Sequence, residues 1–143
     1  MGRILAVDYG ESRTGLAVSD PFGWSAQGLD TFETKKAKCS VYEKIAGIAR
    51  DYQVDRIVVG NPLNMDGSFG PRAVKTGKFI EKLKRYIDIE IVLWDERLSS
   101  SAAIRTIHET GARTGDNKGL IDKLSAVYIL QGYLASTSNS SNK

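Results

Sequence analysis

Arg3-Ile4-Leu5-Ala6-Val7-Asp8-Tyr9-Gly10-Glu11-Ser12-Arg13-Thr14-Gly15-Leu16-Ala17-Val18-Ser19 opens the chain with two apolar runs separated by a short polar link. Each run is too short for a helix and is closed by turn-forming residues, so the pair reads as two strands. A link this short returns the chain antiparallel, as a hairpin. Asp8 ends the first run, directly after four apolar residues and not on a solvated loop. Asp20-Pro21-Phe22-Gly23 is a turn by composition. Residues 26–33 then supply a third strand and complete an antiparallel meander.

Beyond residue 33 the period changes. Val41, Ile45, Ile48 and Ala49 recur at helical spacing and predict a helix over 38–52. Ile57-Val58-Val59 predicts a fourth strand over 55–60, ended by Gly60-Asn61-Pro62. Residues 72–86 read as a helix with Ile80, Leu83 and Ile87 inward and Lys75, Lys78, Lys82 and Arg85 on the opposite face. Residues 89–94 form a fifth strand that runs into Asp95-Glu96-Arg97. Ser99 suits the N-cap of a helix reaching about Glu109. Gly111–Gly119 reads as a loop, and a final helix from about Leu120 carries Leu124, Val127, Ile129, Leu130 and Leu134. Strands joined through helices pair in parallel with right-handed crossovers. The expected fold is therefore α/β: a five-stranded mixed sheet, made of a three-strand antiparallel meander plus two parallel strands, with helices on both faces. One domain spans 1–135, and residues 136–143 read as a disordered polar tail.

The 143 residues hold 20 Lys+Arg against 17 Asp+Glu, a net charge of +3, and 41% are hydrophobic. That balance excludes a wholly disordered chain. The single cysteine, Cys39, excludes an internal disulfide and an all-Cys zinc site. No apolar run approaches the roughly 18 residues that span a bilayer, and the first residues lack a signal-peptide core, so the expected setting is cytoplasmic, away from membranes. The small net charge conceals a separation. Residues 35–50 hold five cations against Glu43, a net +4, and residues 72–85 hold six against Glu81, a net +5. The remainder is acidic, and Asp8, Asp95, Glu96 and Asp122 lie within or beside apolar segments, where carboxylates are costly unless paired or bound to metal.

In open sheets of this kind, sites gather at the carboxyl ends of parallel strands. Asp8 ends the first strand, Asp95 and Glu96 follow the fifth, and Asp122 opens the last helix. Carboxylates gathered in one cleft repel one another unless a divalent cation neutralises them. An oxygen-only donor set selects Mg²⁺ or Mn²⁺, and two such ions roughly 4 Å apart activate water and stabilise the leaving oxygen in phosphodiester hydrolysis. Singly, each acid has an ordinary role open to it, as a turn cap, a helix-start acid or half of an ion pair. The basic face of 72–86 is either a solvated helix surface or a track for a phosphate backbone. His108 has no nucleophile partner by spacing, and Gly10-x-x-x-x-Gly15 lacks the Lys-Ser/Thr of a phosphate-binding P-loop. Trp24, Tyr9 and Phe69 are expected to pack or anchor loops in preference to stacking on bases.

Four stretches together resemble one family. Asp8-Tyr9-Gly10-x-x-Arg13-x-Gly15-x-Ala17-x-Ser19-Asp20 is similar to the opening motif of the YqgF/RuvX family, whose members are described as pre-16S rRNA nucleases and as Holliday junction resolvases. Val58-Val59-Gly60-x-Pro62 with Asp66-Gly67-Ser68, Asp95-Glu96-Arg97-Leu98-Ser99 with Ala102, and Asp122-x-x-x-Ala126 leading to Ile129-Leu130-Gln131-x-Tyr133-Leu134 extend the likeness over residues 3–134. Ser100 and Ser125 stand where the family pattern has Thr and Ala. The resemblance implies a ribonuclease H-like fold. It also implies Asp8, Glu96 and Asp122 as catalytic, metal-binding acids, with Asp95 a further metal-binding candidate; strand alternation alone leaves open which of Asp95 and Glu96 points to the site. Arg13 resembles a phosphate-holding position. Arg72, Lys75, Lys78, Lys82, Arg85 and Arg97 are the remaining candidates for nucleic-acid contact. The implied reaction is metal-dependent endonucleolytic cleavage of structured RNA, at the 5′ end of pre-16S rRNA, leaving a 5′-phosphate and a 3′-hydroxyl. Four-way DNA and RNA binding without cleavage during ribosome assembly are the alternatives. The partners implied are pre-rRNA or branched DNA and possible ribosomal proteins, with a monomer and a homodimer both open.

Overall fold

In a computed structural model, residues 2–64 and 66–96, the backbone of 118–141 and the side chains of 124–137 are described. Strand β1 (Arg3–Asp8) runs antiparallel to β2 (Arg13–Ser19), with Leu5 opposite Val18 and Asp8 opposite Gly15. This is the hairpin expected from the opening sequence. On its other edge β1 pairs in parallel with β5 (Val54–Asn61), which pairs in parallel with β6 (Glu90–Asp95). The order across the sheet is β3-β2-β1-β5-β6. Central β1 is covered on both faces, which explains why its sequence is continuously apolar and not alternating.

The sheet has six strands, not five. The segment expected as one strand over 26–33 splits into β3 (Ala26–Gly28) and β4 (Phe32–Glu33), both paired with β2. Ala17 faces Gly28 while Thr14 faces Phe32, so the second ladder is offset by one residue from the first. The extra residue between Gly28 and Phe32 acts as a bulge and interrupts the strand.

Three helices are described. Helix α1 (Val41–Asp51) starts at Ser40, whose hydroxyl accepts from the Glu43 amide. Helix α2 (Pro71–Leu83) starts with Pro71, suited to a first turn whose N–H would be unpaired. It ends three residues short of the expected 86, so Arg85 lies in the turn after it. Helix α3 (Lys118–Ser141) begins two residues earlier than expected and runs on past 135, where a disordered tail was predicted. The Thr137 hydroxyl donates to the carbonyls of Tyr133 and Leu134, so this polar stretch continues from a turn already packed on the sheet. The predicted helix near 99–109 and loop 111–119 fall largely outside the described residues.

Alternation divides the core into two layers. Leu5 and Val7, with Leu16, Val18, Ile57 and Val59, pack beneath α1 and α2 around Phe79, Ile45 and Leu83. Ala6, Ala17 and Val58 pack beneath α3 through Ala126, Ile129, Leu130 and Tyr133. Small Ala6 and Ala17, both with no exposed surface, are what α3 lies against. A larger residue there would have to lift the helix. Ala17→Leu is therefore expected to cost about 1–3 kcal/mol of unfolding free energy, measured by urea denaturation. An unchanged midpoint would show that α3 is not closely seated.

Candidate active site

The carboxyl ends of β1, β5 and β6 lie side by side, with Val7 paired to Val59 and Asn61 to Asp95. Asp8 terminates β1 and is buried. Side-chain direction alternates along a strand, so Asp8 follows Ile4 and Ala6 onto the α3 side. On β6, Val92 and Trp94 also pack in the α3 layer, and Glu96 is next in that series. Asp95 belongs to the other series, with Ile91, which packs on the α1/α2 side. Parity thus sets Asp8 and Glu96 on one face and Asp95 on the other.

The contacts around Gly60, at the end of β5, agree. A Cβ added to Gly60 would stand 3.2 Å from both Cγ and Oε2 of Glu96, and 2.6 Å from Cδ1 of Ile129 on α3. Glu96 therefore lies across the β5 backbone against α3, in space that only glycine leaves open. Its Oε2 is buried and accepts no hydrogen bond from the described residues. Burial raises the Glu96 pKa; the Arg72 guanidinium opposes that rise, and the Asp95 charge adds to it. A carboxylate out of water without a donor is a poor structural element and a suitable cation ligand.

Asp122 lies in the first turns of α3, one turn before Ala126, which packs on the sheet. Its side chain is outside the described set, as are Arg97 and His108. Among the described residues alone, no three carboxylates, histidines or cysteines form a metal-binding group. Arg13 opens β2 opposite Glu33 and shares the parity of Ala17, placing it on the α3 face.

The cations of α2 do not act as one row. Arg72 and Lys75, at the N-terminal end, line a cavity of about 250 Å³ with Tyr9, Gly10, Glu11 and Ser12, immediately beyond Asp8. Lys78 is exposed, and Lys82 sits 5.1 Å from the centre of the Tyr42 ring on α1. Of the aromatic candidates, Tyr9 packs as expected, stacked on Phe79 with centroids 4.2 Å apart. Trp24 and Phe69 are 86% and 66% exposed, Trp24 meeting Phe22 within its own loop with ring centroids 5.7 Å apart. Asp20, the last motif residue of the hairpin, is remote from the carboxylates and organises its own turn, accepting from the amides of Trp24 (2.6 Å), Ser25 (2.8 Å) and Phe22 (3.3 Å). Those backbone donors, Ser25 foremost, hold its pKa below the ordinary value.

Two features were not singled out from sequence. Gly60 reads from sequence as a breaker and as part of a family stretch, although glycine at a strand end is also compatible with close approach of another chain. Glu11 was read as a turn residue, and nothing local in the sequence marks its partner.

A mixed sheet of this order, with helices on both faces, is the ribonuclease H-like fold. RuvC from Thermus thermophilus, in complex with a Holliday junction substrate, matches it with a TM-score of 0.56 over 95% of this chain and 96% of RuvC, at 10% identity. A second T. thermophilus RuvC structure matches equally well by TM-score, 0.56, at 9% identity, over 94% of this chain and 96% of that one. At such identity the likeness concerns the fold. Residues 2–136 match the family model described as "RuvX: Holliday junction resolvase", and the chain belongs to that family. Proteins named "Putative pre-16S rRNA nuclease" from Ruminiclostridium cellulolyticum and Acetivibrio thermocellus are each 46% identical to it, over 92% and 94% of this chain and 93% and 96% of theirs. A relative of the same name from Clostridium tetani is 43% identical over 96% of this chain and 99% of its own.

The raised Glu96 pKa makes stability depend on pH. In the unfolded chain this carboxyl ionises in the ordinary range; in the folded protein it holds its proton longer. Folding is therefore favoured below the unfolded value, and that advantage is lost as pH rises through the folded value. In metal-free buffer, the melting temperature of Glu96→Gln should gain on wild type as pH rises across this window and then level off. A constant difference from acid to neutral pH would contradict the assigned burial.

Proposed function

We propose that the chain is a divalent-metal-dependent endonuclease that hydrolyses phosphodiester bonds in structured RNA, with the 5′ end of pre-16S rRNA as its substrate and the cytoplasm as its setting. The observation that carries this is the Glu96 carboxylate, buried with an unpartnered oxygen on the same sheet face as Asp8. The names of its relatives support the RNA assignment. No described helix is long and apolar enough to cross a membrane.

The donor set fits Mg²⁺ or Mn²⁺: carboxylate oxygens, with no histidine or thiol among them. Asp8, Glu96 and Asp122 would hold the cations. When bound, these supply activation of water and stabilisation of the leaving oxygen. The protein's own groups do the rest. The strand ends fix Asp8 and Glu96, and Gly60 leaves room for Glu96 to lie flat against β5. Arg72 opposes the rise in the Glu96 pKa and favours its ionised form. Arg13, Arg72 and Lys75 flank the carboxylates and bind the anionic backbone, giving affinity without reading sequence. Asp95, on the opposite parity, acts through its charge on Glu96 and is not a ligand in this assignment.

The family description makes four-way DNA the second substrate to test. Purified full chain with Mg²⁺ or Mn²⁺ should cut precursor rRNA in preference to single-stranded RNA and a four-way DNA junction. Loss of an outer-shell partner alone costs a metal enzyme about 10–100-fold, so Asp8→Asn, Glu96→Gln and Asp122→Asn should each lose about 100-fold or more, as should chelation. Wild type that cuts no substrate, or Asp8→Asn as active as wild type, would refute the assignment.

A further inference from the structure

Lys75, on the second turn of α2, forms an ion pair with Glu11 in the turn between β1 and β2. Both residues line the 250 Å³ cavity, together with Tyr9, which follows Asp8 in the chain. Among the described lining residues of that cavity, the polar side chains apart from Glu11 are Arg72, Lys75, the Ser12 hydroxyl and the Tyr9 phenol, so Glu11 is the one anion of that set. The turn that carries Glu11 is held from several sides. The Thr34 hydroxyl donates to the Glu11 carbonyl at 2.8 Å, the Thr34 amide donates to the Ser12 carbonyl at 3.0 Å, and the Thr14 hydroxyl donates to the Gly10 carbonyl at 3.2 Å. Glu11 is thus presented from a fixed backbone. Both partners are nonetheless more than half exposed, 58% for Lys75 and 61% for Glu11. An ion pair that open contributes little to stability and is readily exchanged.

The pair is a poor stabiliser in a revealing place. Arg72, in the first turn of α2, lines this cavity and also acts on the Glu96 charge, which puts the N-terminal end of the helix near the carboxylates. A nucleic-acid strand that brings a phosphodiester to them has the cavity beside it, and Glu11 already occupies the cation there. We propose that this cavity is a backbone-phosphate subsite, and that Glu11 is a built-in stand-in for phosphate which Lys75 exchanges for the incoming strand. The inference rests on the nuclease reading and adds a function for the β1–β2 turn. Glu11 sets a threshold: a diffuse anion gains little by displacing it, whereas a strand anchored also at Arg72 displaces it at small cost. Lys75 is shielded in the free protein and engaged only in the complex.

The test is binding of a fluorescent RNA oligonucleotide to the full chain in chelator, where no cleavage occurs, across a salt series. Wild type, Glu11→Gln, Lys75→Met and the double variant are compared, with Glu43→Gln on α1 as a control for net charge. Glu11→Gln should bind about 3–5-fold more tightly at low salt, the scale of one exposed ion pair, while Glu43→Gln changes affinity less. Lys75→Met should weaken binding and lower the salt slope by about one unit. In the Lys75→Met background, Glu11→Gln should gain much less than it does alone. Glu11→Ala should reproduce Glu11→Gln, separating loss of the charge from any effect of the amide. Equal gains for Glu11→Gln with and without Lys75, or a gain no larger than that of Glu43→Gln, would overturn the exchange while leaving the nuclease reading intact. Wild type that binds the RNA neither in chelator nor with Mn²⁺ would overturn both.

Discussion

Glu96 imposes the constraint on which the rest of the site depends. A carboxylate oxygen buried without a donor costs free energy, on the order of 1–3 kcal/mol or more for a charged group, and no described group donates a hydrogen bond to it. The fold makes the placement possible through small residues. Gly60 lets the side chain lie on β5, and Ala6 and Ala17 let α3 settle close enough for Ile129 to close over it. Natural domains keep such uncompensated groups where function requires them. The neighbours tune it from opposite directions, Arg72 favouring the charged form and Asp95 disfavouring it.

The opening hairpin, the two crossovers and the two-layer core were all legible in the sequence, because period and turn chemistry are local. The order of apolar residues around Leu5, Ile57 and Ile129 needed no tertiary information to suggest strands and a helix. The third strand was less legible. A one-residue offset between the ladders of Ala17 and Thr14 depends on how the partner strand runs, and no local signal near Asp30 records it. The end of α3 was missed for a related reason: Ser136 and Thr137 are weak helix formers, but the helix reaching them is already anchored at Tyr133 and Leu134.

The candidate site divides along the same line. Asp8 stood out because an acid after four apolar residues is unusual wherever the chain goes. The choice between Asp95 and Glu96 required knowing that Trp94 faces α3, as Ala6 does, and that is a relation between distant strands. The basic segment 72–85 looked like one cationic face. In the structure its cations divide: Arg72 and Lys75 adjoin the carboxylates, Lys82 lies against Tyr42, and Arg85 is past the helix end. The net charge of +3 therefore conceals a short cationic border at Arg72 and Lys75, and that local arrangement matters more than the total.

The claim that the Asp8–Glu96 face is a divalent-cation site is tested most directly by Mn²⁺ binding to the full chain, measured by calorimetry without nucleic acid. Wild type should bind, Asp95→Asn should retain most of the affinity, and Glu96→Gln should lose at least about tenfold, the lower end of what metal sites lose when even an outer partner is removed. Binding that survives Glu96→Gln but fails in Asp95→Asn would contradict the assignment of faces on which the account stands.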